Sequence, residues 1–150
     1  MMDVQACSPM PTIQQEQRRF SAGASFRIAG TDMDFESITR EMGQEPTHFH
    51  RQGELGELKE PYPTDVWLLS SPLGPAESLD AHLSWLASVL LPRKEYISKL
   101  RETNKLDIYC FKACYTEQAS LLISSQTLRI FTELNFAFGV SLIFLPDGPD

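Results

Sequence analysis

The chain has little from which a membrane segment, a disulfide framework or a metal centre could be built. No apolar run approaches the ~20 residues needed to cross a bilayer. The opening MMDVQACSPMPTIQQEQRRF lacks the apolar stretch of a signal peptide, and Val4-Gln5-Ala6-Cys7 resembles a lipoprotein site only without that stretch. Cysteines number three, an odd count. Cys110 and Cys114 lie in LDIYCFKACY, which reads as a strand; four residues apart on one face is about 13 Å, too far for a disulfide. Both read as buried, inert thiols, and a reduced cytoplasmic setting is expected. There is no Gly-x-Ser-x-Gly elbow, and no glycine-rich phosphate loop: Gly53 and Gly56 sit among carboxylates with no helix after them. A basic surplus is also missing. Thirteen Lys and Arg against twenty Asp and Glu leave a net charge of −7, which excludes nucleic acid as a partner class.

What is present suits one globular domain: 150 residues, 42% hydrophobic and 10% aromatic. Residues 1–23 read as a loosely attached tail, 24–145 as a single α+β domain, and 146–150 as a frayed acidic end. Ser25–Gly30 alternates like a half-buried strand. Asp34 is the N-cap of a short helix, with Met33 and Ile38 as a hydrophobic staple, Phe35, Ile38 and Met42 on one face, and Gly43 as the stop. Asp65–Ser71 (DVWLLSS) is apolar on both faces and predicts an interior strand. Ser78 caps a helix carrying the stripe Leu79, Leu83, Leu86 and Leu90 up to Pro92, and a second helix is expected within Arg93–Thr103. Leu106–Tyr115 reads as a strand that turns through Thr116–Gln118 into another strand at Ala119–Ser124. Ser124 or Ser125 caps a last helix with Leu128, Phe131 and Leu134 inward and Asn135 at its end. Phe138–Leu145 (FGVSLIFL) closes the fold as a strand, its Val140–Leu145 portion central in the sheet. The expected order is β-α-β-(α-α)-β-β-α-β: one mostly antiparallel five-stranded sheet with helices packed on it, around a ferredoxin-like βαββαβ core.

The residues that could carry chemistry cluster in EPTHFHRQGELGELKEPYPTD. His48 and His50 are two apart, so an extended backbone turns both imidazoles one way, toward a shared metal. A third ligand is missing; Glu45 and Glu54 are the nearest oxygens, on loop. The third histidine, His82, reads as a surface or boundary residue beside Trp85. The segment is therefore read as a solvated loop, with no metal or cofactor expected. Between Thr31 and Asp65 nine acidic residues face three basic ones, so this window nets −6 of the total −7. Its carboxylates alternate with apolar groups, and the expected partner-binding set is Glu54, Glu57, Leu58, Glu60, Tyr62 and Asp65. A basic protein is the partner such a set fits, with Leu58 and Tyr62 as anchors. The alternatives are an enzyme using the Pro46–Asp65 loop for a small molecule or metal, and a structural subunit of a homo-oligomer.

Read in order, FRIAGTDMDFESITREMGQEPT, RQGE, DVWLLSS, SLDAHLSWLASVLLP, LDIYCF and SSQTLRIFTELNFAFGVSLIF resemble the bacterial family called domain of unknown function 4279. The resemblance spans about residues 24–145. Met42 stands where that pattern has leucine before Gly43, and Glu54 where it has aspartate after Gly53; both keep the character of the position. The two histidines fall in the pattern's variable gap, and the resemblance implies no activity. An immunity-type role against a basic toxin enters only by analogy with other small acidic proteins.

Overall fold

The computed structural model describes residues 20–115 and 118–145. The expected turn residues Thr116 and Glu117, most of the 1–23 tail and the 146–150 end lie outside them. The elements run β1 (Phe20–Gly30), α1 (Phe35–Met42), β2 (His48–His50), β3 (Asp65–Ser70), α2 (Leu79–Leu90), a 3₁₀ turn (Leu91–Arg93), α3 (Lys94–Leu100), β4 (Lys105–Cys114), α4 (Ser125–Glu133) and β5 (Ser141–Phe144). They form an α+β fold with one five-stranded sheet of order β2-β3-β1-β4-β5. Every pairing is antiparallel except β4 with β5, which is parallel.

The first four strands realise the ferredoxin-like βαββαβ core, because β3 splits from β1 to sit between it and β2, and β1 lies between β3 and β4. The helical insertion is the 3₁₀ turn with α3. The strand membership nevertheless differs from the sequence reading. His48–His50, expected as loop, is a short edge strand paired with Leu68–Val66. Ala119–Ser124, expected as a strand, is irregular. Its place beside β4 is taken by β5, so the Val140–Leu145 segment lies at an edge and not in the centre. The first strand begins at Phe20, five residues before SFRIAG, and pairs along β4 from Phe20–Cys114 to Ala29–Lys105.

Local signals explain the helices. The Asp34 carboxylate accepts from Ser37 N, and Gly43 takes the left-handed φ of +67° that ends α1. Ser78 and Ser124 cap α2 and α4 by accepting from Ala81 N and Thr127 N. The staple residues Met33 and Ile38 are both buried. One sheet face receives the helices: Ala22, Ala24, Phe26 and Ile28 of β1, Trp67 and Leu69 of β3, and Leu106, Ile108 and Cys110 of β4 meet Ile38, Met42, Leu83, Leu86, Leu90 and Ile130 in one core. Among the described residues no helix covers the other face, and Val66 and Leu68 are only half-buried although their strand is apolar on both sides.

His82 is the other correction. It is 1% exposed, not a surface residue, and its Nδ1 lies 2.8 Å from Ser71 Oγ at the end of β3. Burial holds its imidazole below the ordinary value. Cys110 and Cys114 are buried free thiols. Burial pushes Cys110 up to about 11, and its Sγ donates to Gly139 O at 2.9 Å, so it is a protonated thiol at neutral pH.

Candidate functional site

The acidic segment between β2 and β3 folds as a hairpin and not as a slack loop. Gly53 N donates to Tyr62 O and Tyr62 N to Glu54 O, both at 2.9 Å, and Leu55 bridges Pro61. At the tip, Gly56 N donates to Glu60 O at 3.0 Å and Lys59 N to Gly56 O at 2.9 Å. Gly53 (φ +89°) and Lys59 (φ +60°) provide the left-handed turns. Gly56 is required for another reason. A Cβ there would stand 3.0 Å from the Tyr62 ring, which lies against the glycine.

The base of the hairpin is held by Asp65 and Arg51. Asp65 accepts from Gln52 N at 2.8 Å, Met33 N at 3.0 Å and Arg51 Nη1 at 2.9 Å. These bonds, the backbone donors of Gln52 and Met33 first and then the Arg51 guanidinium, pull its carboxyl below the usual carboxylate value. Arg51 also donates to Met33 O at 2.6 Å, and its guanidinium lies 3.8 Å above the Phe35 ring. One carboxylate therefore ties together the loop before α1, the start of the hairpin and the start of β3.

The side of the hairpin is held by the histidines. The Tyr62 ring stacks on His50 with centroids 3.5 Å apart and 7° between planes. His50 Nδ1 lies 3.0 Å from His48 Nε2. Because His48 pairs with Leu68 and His50 with Val66, both rings stand on the open face of the sheet. Burial, and then the neighbouring His48, lower the His50 pKa below its ordinary value. Among the described residues, no group of three or more His, Cys, Asp or Glu is placed to hold a metal. We expect elemental analysis of purified protein to find no stoichiometric zinc, nickel or iron, and a chelator to leave the Tm unchanged. One equivalent of metal lost in a His48→Ala/His50→Ala variant would contradict this.

The six residues expected as a binding set separate into two roles. Glu54, Glu57, Leu58 and Glu60 are exposed, with Leu58 86% accessible at the tip. Leu55, 67% accessible, joins them as an apolar group that the sequence reading left out of the set. Tyr62 is half-buried against His50 and Gly56, which makes it a support of the hairpin and not a free anchor. Asp65, at 4% exposure, is unavailable to a partner. Its role as an internal clamp had no sequence signal, because the partners Met33, Arg51 and Gln52 come from separate segments.

Elsewhere, the open face carries a hollow of about 330 Å³ lined by Ser25, Arg27, Leu68, Asp107, Ile108 and Tyr109. Its charges are spent on each other, since Arg27 Nη2 donates to Asp107 at 2.5 Å. A hollow of about 520 Å³ beside α2 and α4 includes Asp80 and Arg129. Asp80 is occupied by Ser124 N at 2.9 Å, and Arg129 pairs with Glu133. Neither hollow assembles an acid–base pair or an activated nucleophile.

Among the described residues, no helix is long and apolar enough to cross a membrane. No curated protein and no solved structure matches the chain. The profile of one family, described as domain of unknown function, DUF4279, matches residues 18–145. That match runs from just before β1 to the end of β5 and takes in the clamp, the stacked histidines and the acidic hairpin. The chain belongs to the DUF4279 family.

Proposed function

We propose that this protein is a non-enzymatic binding module whose acidic hairpin docks on a basic surface of another protein. The observation that carries the reading is the hairpin tip, where Leu58 stands 86% exposed among Glu54, Glu57 and Glu60 on a backbone closed by its own hydrogen bonds. A preformed tip loses little conformational entropy on docking. An exposed leucine in a tip where Glu54, Glu57 and Glu60 outnumber Lys59 offers one apolar anchor and a field that steers positive partners. Immunity-type neutralisation of a basic bacterial toxin is the case this arrangement fits, by analogy with other small acidic proteins. The setting is then cytoplasmic, and no cofactor is needed.

The test uses immobilised protein against lysate of its own host, beside a Glu57→Lys/Glu60→Lys variant. A basic protein retained by the first and lost by the second is the expected result. With that partner in hand, charge reversal should slow association and flatten its salt dependence, because rim charges act on encounter. Leu58→Ala should instead shorten the lifetime of the complex. Identical retention and kinetics in all variants would remove the hairpin from the interface.

A further inference from the structure

The two edges of the sheet are built differently. At the β2 edge the strand is three residues long and is followed at once by Arg51 and the acidic hairpin, two ordinary ways of keeping an edge from pairing. At the β5 edge the strand is short as well, four residues, but neither it nor the segment leading into it carries a charge, and the first proline and carboxylate after it are Pro146 and Asp147. From Phe136 to Leu145 the sequence FAFGVSLIFL contains no charge and no proline. Among the described residues β5 pairs only with β4, leaving its outer backbone groups open. Its side chains are exposed on both faces: Leu142 and Phe144 on the helix side are 50% and 51% accessible, and Ile143 on the open side is exposed as well.

We propose that β5 pairs antiparallel with β5 of a second copy, joining two sheets into one of ten strands. Charge decides the occupant. Two chains of net charge −7 repel wherever their acidic windows approach, and that window adjoins β2, the strand farthest from β5. In a β5–β5 dimer the two β2 strands are nine strand spacings apart, roughly 40 Å at about 4.8 Å each. That is several Debye lengths at physiological salt, so the repulsion is screened. Within Phe136–Leu145 a basic partner has no charge to meet, Asp147 and Asp150 lying past the strand in sequence, whereas the same neutral strand on a two-fold axis meets its own apolar side chains on both faces. The pairing satisfies the open backbone groups and leaves both hairpins free at the distal ends.

Native mass spectrometry and light scattering on the full chain, from micromolar to several hundred micromolar, test this. The expected species is a dimer of twice the 17.0 kDa chain. Ile143→Lys and, separately, Leu142→Lys place a charge twice at the two-fold interface, and each should raise the dimer Kd by about 100-fold or more. Both sites are exposed in the single chain, so circular dichroism and Tm of the monomeric variants should stay within a few degrees of the parent. Leu58→Lys, at the opposite end of the sheet, should leave the dimer intact. A monomer at every concentration overturns the proposal. So does a dimer that survives both β5 variants, or one that Leu58→Lys dissociates; the last outcome would place self-association at the hairpin.

Discussion

Trp67→Ala is expected to lower the unfolding free energy by about 4 kcal/mol, the usual range for emptying a buried aromatic site. Trp67 is fully buried in the middle of β3, between Phe49 of β2 and Ile28 of β1, and its Nε1 donates to Thr39 Oγ1 of α1 at 3.1 Å. The substitution therefore opens a cavity under α1 and removes the one polar tie between that helix and the central sheet given by this ring. In a chain of this size such a loss lowers Tm by roughly 10–15 °C. Phe144→Ala is the informative companion. Phe144 lies in an equally apolar stretch, but half of it is exposed at the β5 edge, and its replacement should cost under about 1 kcal/mol in the monomer. Urea unfolding followed by circular dichroism, at a concentration where the chain is monomeric, measures both. Equal costs for the two residues would mean that β5 is as buried as β3, and the strand order would have to change.

That comparison marks what the sequence could and could not convey. Caps and stripes are local, so Asp34, Ser78 and Gly43 gave α1 and α2 directly, and the buried stripe Leu79, Leu83, Leu86 and Leu90 was plain. Strand neighbours are set by contacts distant in sequence, and an apolar run looks the same in the centre of a sheet and at its edge. DVWLLS and SLIF therefore read alike, although one became interior and the other the outer strand. His-Phe-His is too short to show alternation, and its pairing with Leu68–Val66 supplies the order that the segment lacks by itself. Leu121, Leu122 and Ile123 have strand-like composition, yet β4 finds its neighbour in β5. Within the site, the exposed carboxylates and Leu58 were legible as charge interleaved with apolar groups. The inward turn of Tyr62 and Asp65 was not, since it depends on His50, Met33 and Gln52 being brought alongside.

Asp65→Asn is expected to cost about 3 kcal/mol at pH 7, and to cost progressively less in acid. A hydrogen bond to a buried charged acceptor contributes roughly 1.5–3 kcal/mol, and Asp65 accepts three, one from the half-exposed Arg51. The asparagine keeps one acceptor oxygen but turns an amide toward donors it cannot serve, so either Gln52 N, bound by Oδ1, or Met33 N and Arg51 together, bound by Oδ2, lose their acceptor. The pH dependence follows from the direction of the shift. The folded carboxyl titrates below its ordinary value of 3.8, so the unfolded chain takes up the proton first as pH falls. The contribution of Asp65 is thus complete above the ordinary carboxylate range and is lost as pH drops through the folded value. His82 acts earlier. Its folded pKa is also depressed, below 6.5, so stability is full above that pH and begins to fall beneath it as the unfolded imidazole protonates. Parent and Asp65→Asn should therefore share the decline that starts near 6.5 and converge only in the region below about 4. Unfolding curves at a series of pH values measure this directly. A gap between the two proteins that stays constant to pH 2.5 would show that the Asp65 carboxyl titrates alike in the folded and unfolded chains, and would remove the charged clamp as the support of the acidic hairpin. Retained stability in Asp65→Asn together with weakened partner binding would instead mean that the clamp orders the hairpin without stabilising the fold.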